Sequence, residues 1–488
     1  MKQDKFLMTG ISQYKKNSFF NAEKNFLRAL ELNPNELSIY TYLVPTLLNQ
    51  QKLDKALYHA NIFYIRSNKS EVSCIYLGII YFKKEIFFES IKYFDYALNL
   101  NPDNYSALVN KGICLNKLNK NEDAKIYLAE AIKLNSLDAL PHISLAEIFE
   151  EESETNKAIE SLRKAISLKP NDHRSIHTLS LLQLTIKDYQ KGWENFEKRW
   201  AQPELSYRYK DIPKIQSLEN LQGKKLLIWH DQGMGDTINF SRYVRELIKI
   251  GANVTFEVQE PLVSMFQNQF ECHITGKASS KTFDFQSPLM SLPYLFKMNA
   301  DNIPSTKPYF MCNEAKYRFW KNHLNLSINK INIGIAISGN KAHLKENRRK
   351  IELNYFLKLT EVSKIYLIQK NITTEQKNLI EKNKDIIFLG DDDKWIDFSD
   401  TSAIVKSMDL IITIDTSLVH LSGAMNKKTL LLLSKVSDWR WPSQNEDHPH
   451  WYESVHIFRQ KIKDQWKDVI EKILPTVNQS FKEKYEKK

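Results

Sequence analysis

Ser90-Ile91-Lys92-Tyr93-Phe94-Asp95-Tyr96-Ala97-Leu98-Asn99-Leu100-Asn101-Pro102-Asp103 is the stretch on which the fold of the N-terminal part turns. A small residue opens an amphipathic run, a second small residue comes later in it, and an Asn-Pro pair closes it. Moving 34 residues either way recovers the opening small residue, and moving 68 recovers the Asn/Lys-Pro stop as well. Ala22, Ala56, Ser90, Ala124, Ala158 and Gly192 form one series, and Gly78, Gly112, Ala146 and Ser180 a second. Pro34, Pro102 and Pro170 stand at multiples of the same period, with Ala97, Ala131 and Ala165 five residues before a stop. Proline stops one helix and starts the next, and small residues let two helices approach where they cross. Each unit therefore reads as two amphipathic helices.

These registers resemble a tetratricopeptide-repeat (TPR) array of five to six units over residues 1–200. Such arrays stack into a superhelix, so the resemblance implies a concave groove that takes a peptide or protein partner. The second reading is an array that only scaffolds or dimerises the C-terminal part of the chain. Gly192 to Trp200 supplies a capping helix whose Trp193, Phe196 and Trp200 are read as packing, not as a sugar platform. Residues 201–223, with Pro203, Pro213 and Gly223 among polar neighbours, read as a linker.

After Gly223 the period changes. Lys225 to His230 is a buried-strand run, with a glycine turn after it and a helix expected over Thr237–Ile250. Strands are expected at Val254–Val258 and Phe283–Leu289, with helices near Leu262–Gln267 and Tyr317–Leu324. A second half opens with Asn332–Ile337 and continues through Lys364–Gln369, Ile386–Leu389, Leu410–Asp415 and Thr429–Leu433 to a helix over Trp466–Leu474. The halves, 224–328 and 329–480, read as two Rossmann-like α/β domains with a ligand cleft between the carboxyl ends of their strands.

Composition bounds the remaining options. A chain of 488 residues with 42% hydrophobic and 26% charged residues folds into several cores. No apolar run approaches the 18 or so residues of a membrane span, and the first twenty residues lack the apolar centre of a secretory signal, so a cytoplasmic protein is expected. Cys74, Cys114, Cys272 and Cys312 lie far apart and read as reduced thiols. The formal charge of +11 permits an anionic partner. No recognition motif among the basic residues points to nucleic acid, and the tail 481–488 reads as a frayed, solvated terminus.

Three stretches carry candidate chemistry. In Asp231-Gln232-Gly233-Met234-Gly235-Asp236-Thr237, glycines let the backbone approach a ligand at a helix start, and Asp236 offers a carboxylate. The same Asp reads equally well as a helix cap. In Asp415-Thr416-Ser417-Leu418-Val419-His420, a capped helix start suits an anion with His420 one turn in; a core-facing His is the other reading. Gly339 to Lys350, holding Asn340, His343 and Arg349, is a cationic loop suited to a departing diphosphate, or a solvated charge run.

Together these motifs resemble the heptosyltransferase-like (family nine) glycosyltransferases, and residues 225–475 are similar to the C-terminal part of bacterial TPR proteins that carry such a domain. The segments that match include Asp231–Tyr243, Glu257–Pro261, Gly339–His343, Asp409–Ala424, Ser437–Trp441, Trp451-Tyr452 and Phe458–Gln460. The resemblance implies a two-Rossmann (GT-B) transferase of hexosyl- or heptosyltransferase class with no metal and no cofactor, a nucleotide sugar being its substrate. It places the catalytic base on Asp236 and donor contacts on Gly233, Gly235, Asn340, His343, Arg349, Asp415, Thr416, Ser417 and His420. Gln232, Thr237, Asp438, Trp439 and Arg440 would line the cleft. Ser417 stands where heptosyltransferases usually carry glycine. The acceptor is expected to be a protein, as in O-linked N-acetylglucosamine transferases, or a glycan or glycolipid. The alternative is a non-catalytic TPR scaffold or assembly protein with a degenerate transferase domain.

Overall fold

A computed structural model describes the chain apart from residues 1, 203–204, 206, 268, 280–282, 305–307, 340–345, 442–449 and 486–488. The chain divides into two compact units, Met1–Ser175 and Ile176–Lys488.

The first unit is a helical repeat superhelix of antiparallel pairs: α1 (Lys2–Lys15) with α2 (Phe19–Leu32), α3 (Leu37–Asn49) with α4 (Leu53–Arg66), α5 (Glu71–Lys83) with α6 (Phe87–Leu100), α7 (Tyr105–Lys117) with α8 (Asn121–Leu134), and α9 (Leu140–Glu151) with α10 (Thr155–Leu168). The small-residue registers are the crossing points. Ala22, Ala56, Ala124 and Ala158 are fully buried. A Cβ on Gly78 would lie 2.5 Å from the Phe94 ring, so nothing larger than glycine fits there. The Asn that closes a unit also braces the turn after it. Asn33 and Asn101 accept the N–H two residues on, at 3.2 Å each, and Asn135 does so at 3.1 Å.

A further register emerges in the backbone. Asn17, Gln51, Glu85, Asn119 and Ser153, each 34 residues after the last, take φ between 57° and 66° where one helix of a pair hands over to the next. This left-handed residue closes the first helix of each unit. Only Asn17 and Asn119 are of a type that signals it in sequence.

In the second unit, α11 (His173–Thr185, counted here from Ile176), α12 (Tyr189–Phe196) and a 3₁₀ turn (Glu197–Ala201) continue the 34-residue register in sequence. They pack against the α/β part, because Trp193 and Phe196 offer it an apolar face and join its core. Within 201–223, read as a connection, Pro213 and Ile215 are fastened to the first sheet. Ile215 N–H donates to Gln286 O at 3.0 Å, and Gln286 N–H donates to Pro213 O at 2.8 Å. Ile212, Tyr207 and Tyr209 cover Leu227 and Trp229, a sheet face that would otherwise meet water.

The first sheet comprises β1 (Lys225–Trp229), β2 (Asn253–Glu257), β3 (His273–Thr275) and β4 (Phe285–Pro288), all parallel in the order β3-β2-β1-β4. The helix expected over Thr237–Ile250 is two, α13 (Met234–Phe240) and α14 (Arg242–Lys249). Between them Ser241 Oγ donates to Ile238 O at 2.8 Å and Arg242 Nε to Asn239 O at 2.8 Å, side chains taking carbonyls the helical ladder would use. Then come α15 (Val263–Phe266), α16 (Leu292–Leu295) and α17 (Glu314–His323). The last falls within the first half by sequence but packs on the second, Trp320 Nε1 donating to Asp400 Oδ1 at 3.1 Å.

The second sheet holds β5 (Ile331–Ala336), β6 (Ser363–Leu367), β7 (Ile386–Phe388), β8 (Leu410–Ile414), β9 (Thr429–Leu433) and β10 (Val455–Arg459), in the order β10-β9-β8-β5-β6-β7, all parallel. Its helices are α18 (Glu346–Arg349), α19 (Thr374–Glu381), α20 (Phe398–Ser407), α21 (Ser417–Ala424) and α22 (Lys467–Tyr485). This is a doubly wound order, read from the far edge as 3-2-1-4-5-6. The sequence reading lacked β3, which has three residues, and β10, whose apolar run is broken by His456 and ends on Arg459. It also stopped α22 at Leu474, whereas the helix runs through Pro475 to Tyr485. The basic tail is thus docked up to that point: Lys484 pairs with Asp409 at 2.6 Å and Tyr485 donates to Lys330 O at 2.8 Å.

One apolar core runs from α12 through the inner faces of both halves, and a second lies between the other face of β5–β9 and α22. The halves are therefore fused along one side rather than separated by a full cleft. Gln286 is a keystone of the first sheet: its Oε1 accepts from Trp229 Nε1 at 2.7 Å, and its Nε2 donates to Tyr207 Oη at 3.0 Å. Gln286→Leu should lower unfolding free energy by about 2–4 kcal/mol in urea titrations, because it strands a buried indole N–H and removes the side-chain bonds to Tyr207 Oη and Ile212 O while the backbone bonds to Pro213 and Ile215 remain.

Candidate functional site

In parallel sheets, ligands bind beyond the carboxyl ends of the strands, where neighbouring crossovers leave in opposite directions. The first sheet switches between β1 and β4, and the second between β5 and β8. Asp231–Asp236 comes after β1 and Asp415–Ser417 after β8, so both quoted motifs stand at switch points.

The two motifs meet. A Cβ on Gly235 would lie 2.8 Å from His420 Cδ2 and 3.4 Å from Ser417 Cα, placing the start of α13 directly on α21. Asp236 is the third residue of α13. Its Oδ2 accepts the Gly233 N–H at 3.0 Å and its Oδ1 pairs with the Arg440 guanidinium. Capping and any chemical role thus share one carboxylate. The Asp236 side chain keeps 23% exposure, against 9% for Arg440, so solutes reach the acid more readily than its partner. Arg440 also pairs with Asp438 Oδ1 at 2.6 Å.

Asp415 joins this group: its carbonyl accepts from Arg349 at 2.6 Å. Its carboxyl pKa is pushed up to about 7, by burial first and by Asp438 next, with Arg440 opposing. Burial likewise raises Asp236, again against Arg440. For Arg440 burial works against the charge, but Asp236 and Asp438 prevail and hold it protonated. Three carboxylates and two guanidiniums thus cluster at the start of α21, where Thr416 caps the helix by accepting the Leu418 N–H at 3.3 Å.

Other expected positions fall differently. His420, read as a cation for diphosphate, is 5% exposed. Its Nδ1 lies 3.0 Å from Tyr452 Oη, and its ring stacks on Trp441 at 5.5 Å. Burial, with Arg440 adding, pushes its pKa from 6.5 down to about 3, so it is a neutral ring. Trp439 is buried against Trp193 and Trp451, with the Arg440 guanidinium 4.5 Å above its ring. Thr237 is buried too, donating to Gln259 Oε1 at 2.9 Å, while Gln259 Nε2 donates to the Gln232 carbonyl at 2.9 Å. Asn340 and His343 lie outside the described residues. Cys74 and Cys114 are buried free thiols, and Cys272 and Cys312 are partly buried and free.

Sequence reasoning passed over Tyr452 as the partner of His420, and Arg242. The latter is buried with an aromatic surround, its guanidinium 4.8 Å from the Tyr309 ring and 5.3 Å from that of Tyr452, and it donates to the Trp451 carbonyl at 3.3 Å. By spacing Arg242 falls on the polar side of its helix with Arg245, Glu246 and Lys249, so periodicity gave no signal that it would be buried. No group of His, Cys, Asp and Glu among the described residues is arranged to hold a metal ion.

Residues 105–136 and 142–172 each match the family described as tetratricopeptide repeat, and the first unit is built of such repeats. Protein FlbA of Caulobacter vibrioides is 19% identical over 313 residues, covering 58% of this chain and 51% of FlbA. BBSome complex member BBS4 of Bos taurus is 30% identical over 119 residues, 24% of this chain and 23% of BBS4. The chain thus spans about half or less of the curated relatives it matches. Among solved structures, the APC/C hetero-tetramer Cut9-Hcn1 aligns with a TM-score of 0.40 at 15% identity, covering 42% of this chain and 41% of that one. The repeats indicate a protein-interaction role for the first unit. No helix among the described residues is long and apolar enough to cross a membrane.

The packing at Gly235 can be tested by substitution. Gly235→Ala should cost about 1–3 kcal/mol in denaturant unfolding, because the new methyl meets a His420 ring pinned between Tyr452 and Trp441; Gly233→Ala, whose Cβ would approach only Asp236 Oδ2 at 3.2 Å, should cost less. Below pH 6.5 the unfolded chain takes up a proton on His420 that the folded chain refuses until about pH 3, so this residue makes stability fall as pH falls, by at most about 1.4 kcal/mol per unit. Asp415 acts in the opposite sense, its folded carboxyl holding a proton up to about pH 7 that the unfolded chain releases near pH 4. His420→Asn should therefore tilt the unfolding profile between about pH 4.5 and 6.5 toward greater relative stability in acid.

Proposed function

We propose that the second unit is a metal-independent, inverting GT-B glycosyltransferase that uses a nucleotide sugar, and that the TPR unit binds its protein acceptor or a partner protein. The supporting observation is the meeting of Asp236 and Arg440 with the start of α21, at the switch points of two parallel sheets. The resemblance of these segments to family nine transferases agrees with it.

In this reading Arg440 leaves Asp236 for the donor diphosphate when donor binds. Asp236, its basicity raised by burial, then takes the proton of an acceptor hydroxyl. The freed oxygen attacks the anomeric carbon from the face opposite the diphosphate, the bond from that carbon to the diphosphate oxygen breaks, and the configuration inverts. The negative charge on the departing nucleoside diphosphate is met by Arg440, Arg349 and the α21 N-terminus. General-base assistance contributes about 10² to 10⁴ in rate. His420, being neutral, orients the α21 start through Gly235 and Tyr452 and contributes no charge.

A second reading has its own support: the TPR matches, and relatives that include a BBSome complex member and anaphase-promoting complex subunits. On it the chain is an assembly protein whose α/β unit has kept its fold without catalysis. Thermal shift with a nucleoside diphosphate and nucleotide-sugar panel separates the two. A transferase site filled at 100 times its dissociation constant gains about 2.7 kcal/mol, and a scaffold gains nothing. Asp236→Asn should lower sugar transfer at least about 10²-fold while nucleotide binding stays within about threefold of wild type; undiminished transfer would remove Asp236 as the base.

A further inference from the structure

We infer that the helix pair ending the repeat register is a working part of the α/β site: Trp193 and Arg199 are positioning residues that hold the Asp236 loop and the Arg440 loop in register. Both lie at least 30 residues before the first motif, in a stretch that reads by sequence as the cap of the array.

Arg199, on the 3₁₀ turn after α12, is wholly buried. Its guanidinium is shared four ways, one N–H going to the Phe196 carbonyl at 3.1 Å. It pairs with Glu197 Oε1 at 2.7 Å and with Asp231 Oδ2 at 2.9 Å, and it donates to Ser291 Oγ at 3.0 Å. The Phe196 and Trp200 rings, 4.3 Å and 4.5 Å from its Cζ, close over it. Asp231 stands at the start of the Asp236 loop, after β1, and its other oxygen accepts the Met290 N–H at 3.0 Å. One guanidinium thus ties the loop after β1 to the turn after β4, the two sides of the first switch point. A buried ion pair of this kind gives up most of its Coulomb energy to desolvation, so what it supplies is geometry more than stability.

Trp193 does the same for the other loop. Its ring meets Trp439, the residue before Arg440, edge-on at 5.4 Å, and Phe240, the last residue of α13, at 6.1 Å. One side chain of α12 therefore touches both chain segments whose charged residues pair as Asp236 and Arg440. Moving α12 by a fraction of an ångström displaces both, because packed interiors transmit strain.

What this positioning does for catalysis rests on the glycosyltransferase reading; the positioning itself does not. Hydrogen exchange by mass spectrometry on the full chain tests it without any ligand. In Arg199→Lys, a single ammonium cannot fork among Glu197, Asp231 and Ser291. Exchange over residues 231–236 should rise at least about tenfold, with the strands β5, β6, β8 and β9 unchanged. Trp193→Ala should loosen 237–241 and 437–441 together, and Trp193→Phe, which keeps an aromatic edge, should restore most of the protection.

Overturning results are loops in Arg199→Lys that exchange as in wild type, or exchange that rises evenly across both sheets, the mark of general destabilisation. A second arm titrates UDP, GDP and ADP against wild type and Arg199→Lys. Failure of all three to bind wild type counts against the transferase reading and leaves the exchange result to decide the positioning. Binding by wild type that weakens at least about tenfold in Arg199→Lys supports both. Equal binding together with unchanged loops overturns the inference alone.

Discussion

The approach of α13 to α21 at Gly235 is the constraint on which the rest of the second unit depends. Two helices from different sheets touch at a point where any Cβ would collide with an imidazole that is itself held by a phenol and an indole. That contact brings the start of one helix beside the start of another. Two helix N-termini side by side concentrate positive potential, and carboxylates gather there: Asp236 at the head of α13, with Asp415 and Asp438 close by. Left uncompensated, three such groups would repel one another. Arg440, between Asp236 and Asp438, makes the arrangement tolerable.

The same contact explains the behaviour of His420. In a solvated loop it would titrate near neutrality and could serve as a cation. Pressed under Gly235 and beside Arg440, it cannot hold a proton, and its role becomes one of shape. The charge that an anionic ligand would meet comes from the guanidiniums instead. A histidine one turn into a capped helix leaves both roles open until it is known what covers the ring.

The helix pair at the end of the repeat register shows how a sequence boundary and a structural one diverge. By period, Ser180 and Gly192 belong with the repeats. By packing, Trp193, Phe196 and Arg199 serve the α/β core. The period reflects the local rule for crossing two helices, whereas unit membership reflects which apolar surface the outer face of the pair meets. Likewise the polar, proline-bearing segment 201–223 reads as a tether, yet its Tyr207, Tyr209 and Ile212 cover Leu227 and Trp229 of the first sheet.

Sequence alone determined the helical pairs, since a small residue every 34 positions has few physical explanations other than repeated crossings, and it determined the glycine-bearing turns and the strand runs of both α/β halves except β3 and β10, each at the edge of its sheet. It also picked out Asp236, Thr416 and Arg440, whose residue types and neighbours are legible locally. Tertiary structure alone decided that Arg440 faces Asp236 across 204 positions of chain. It decided too that Trp439 and Thr237 are core, that His420 is neutral, and that the pair holding Arg199 serves the site. Each of these depends on burial and on partners distant in sequence, and neither a motif nor a period encodes how deep a side chain will lie or which charge will be set beside it.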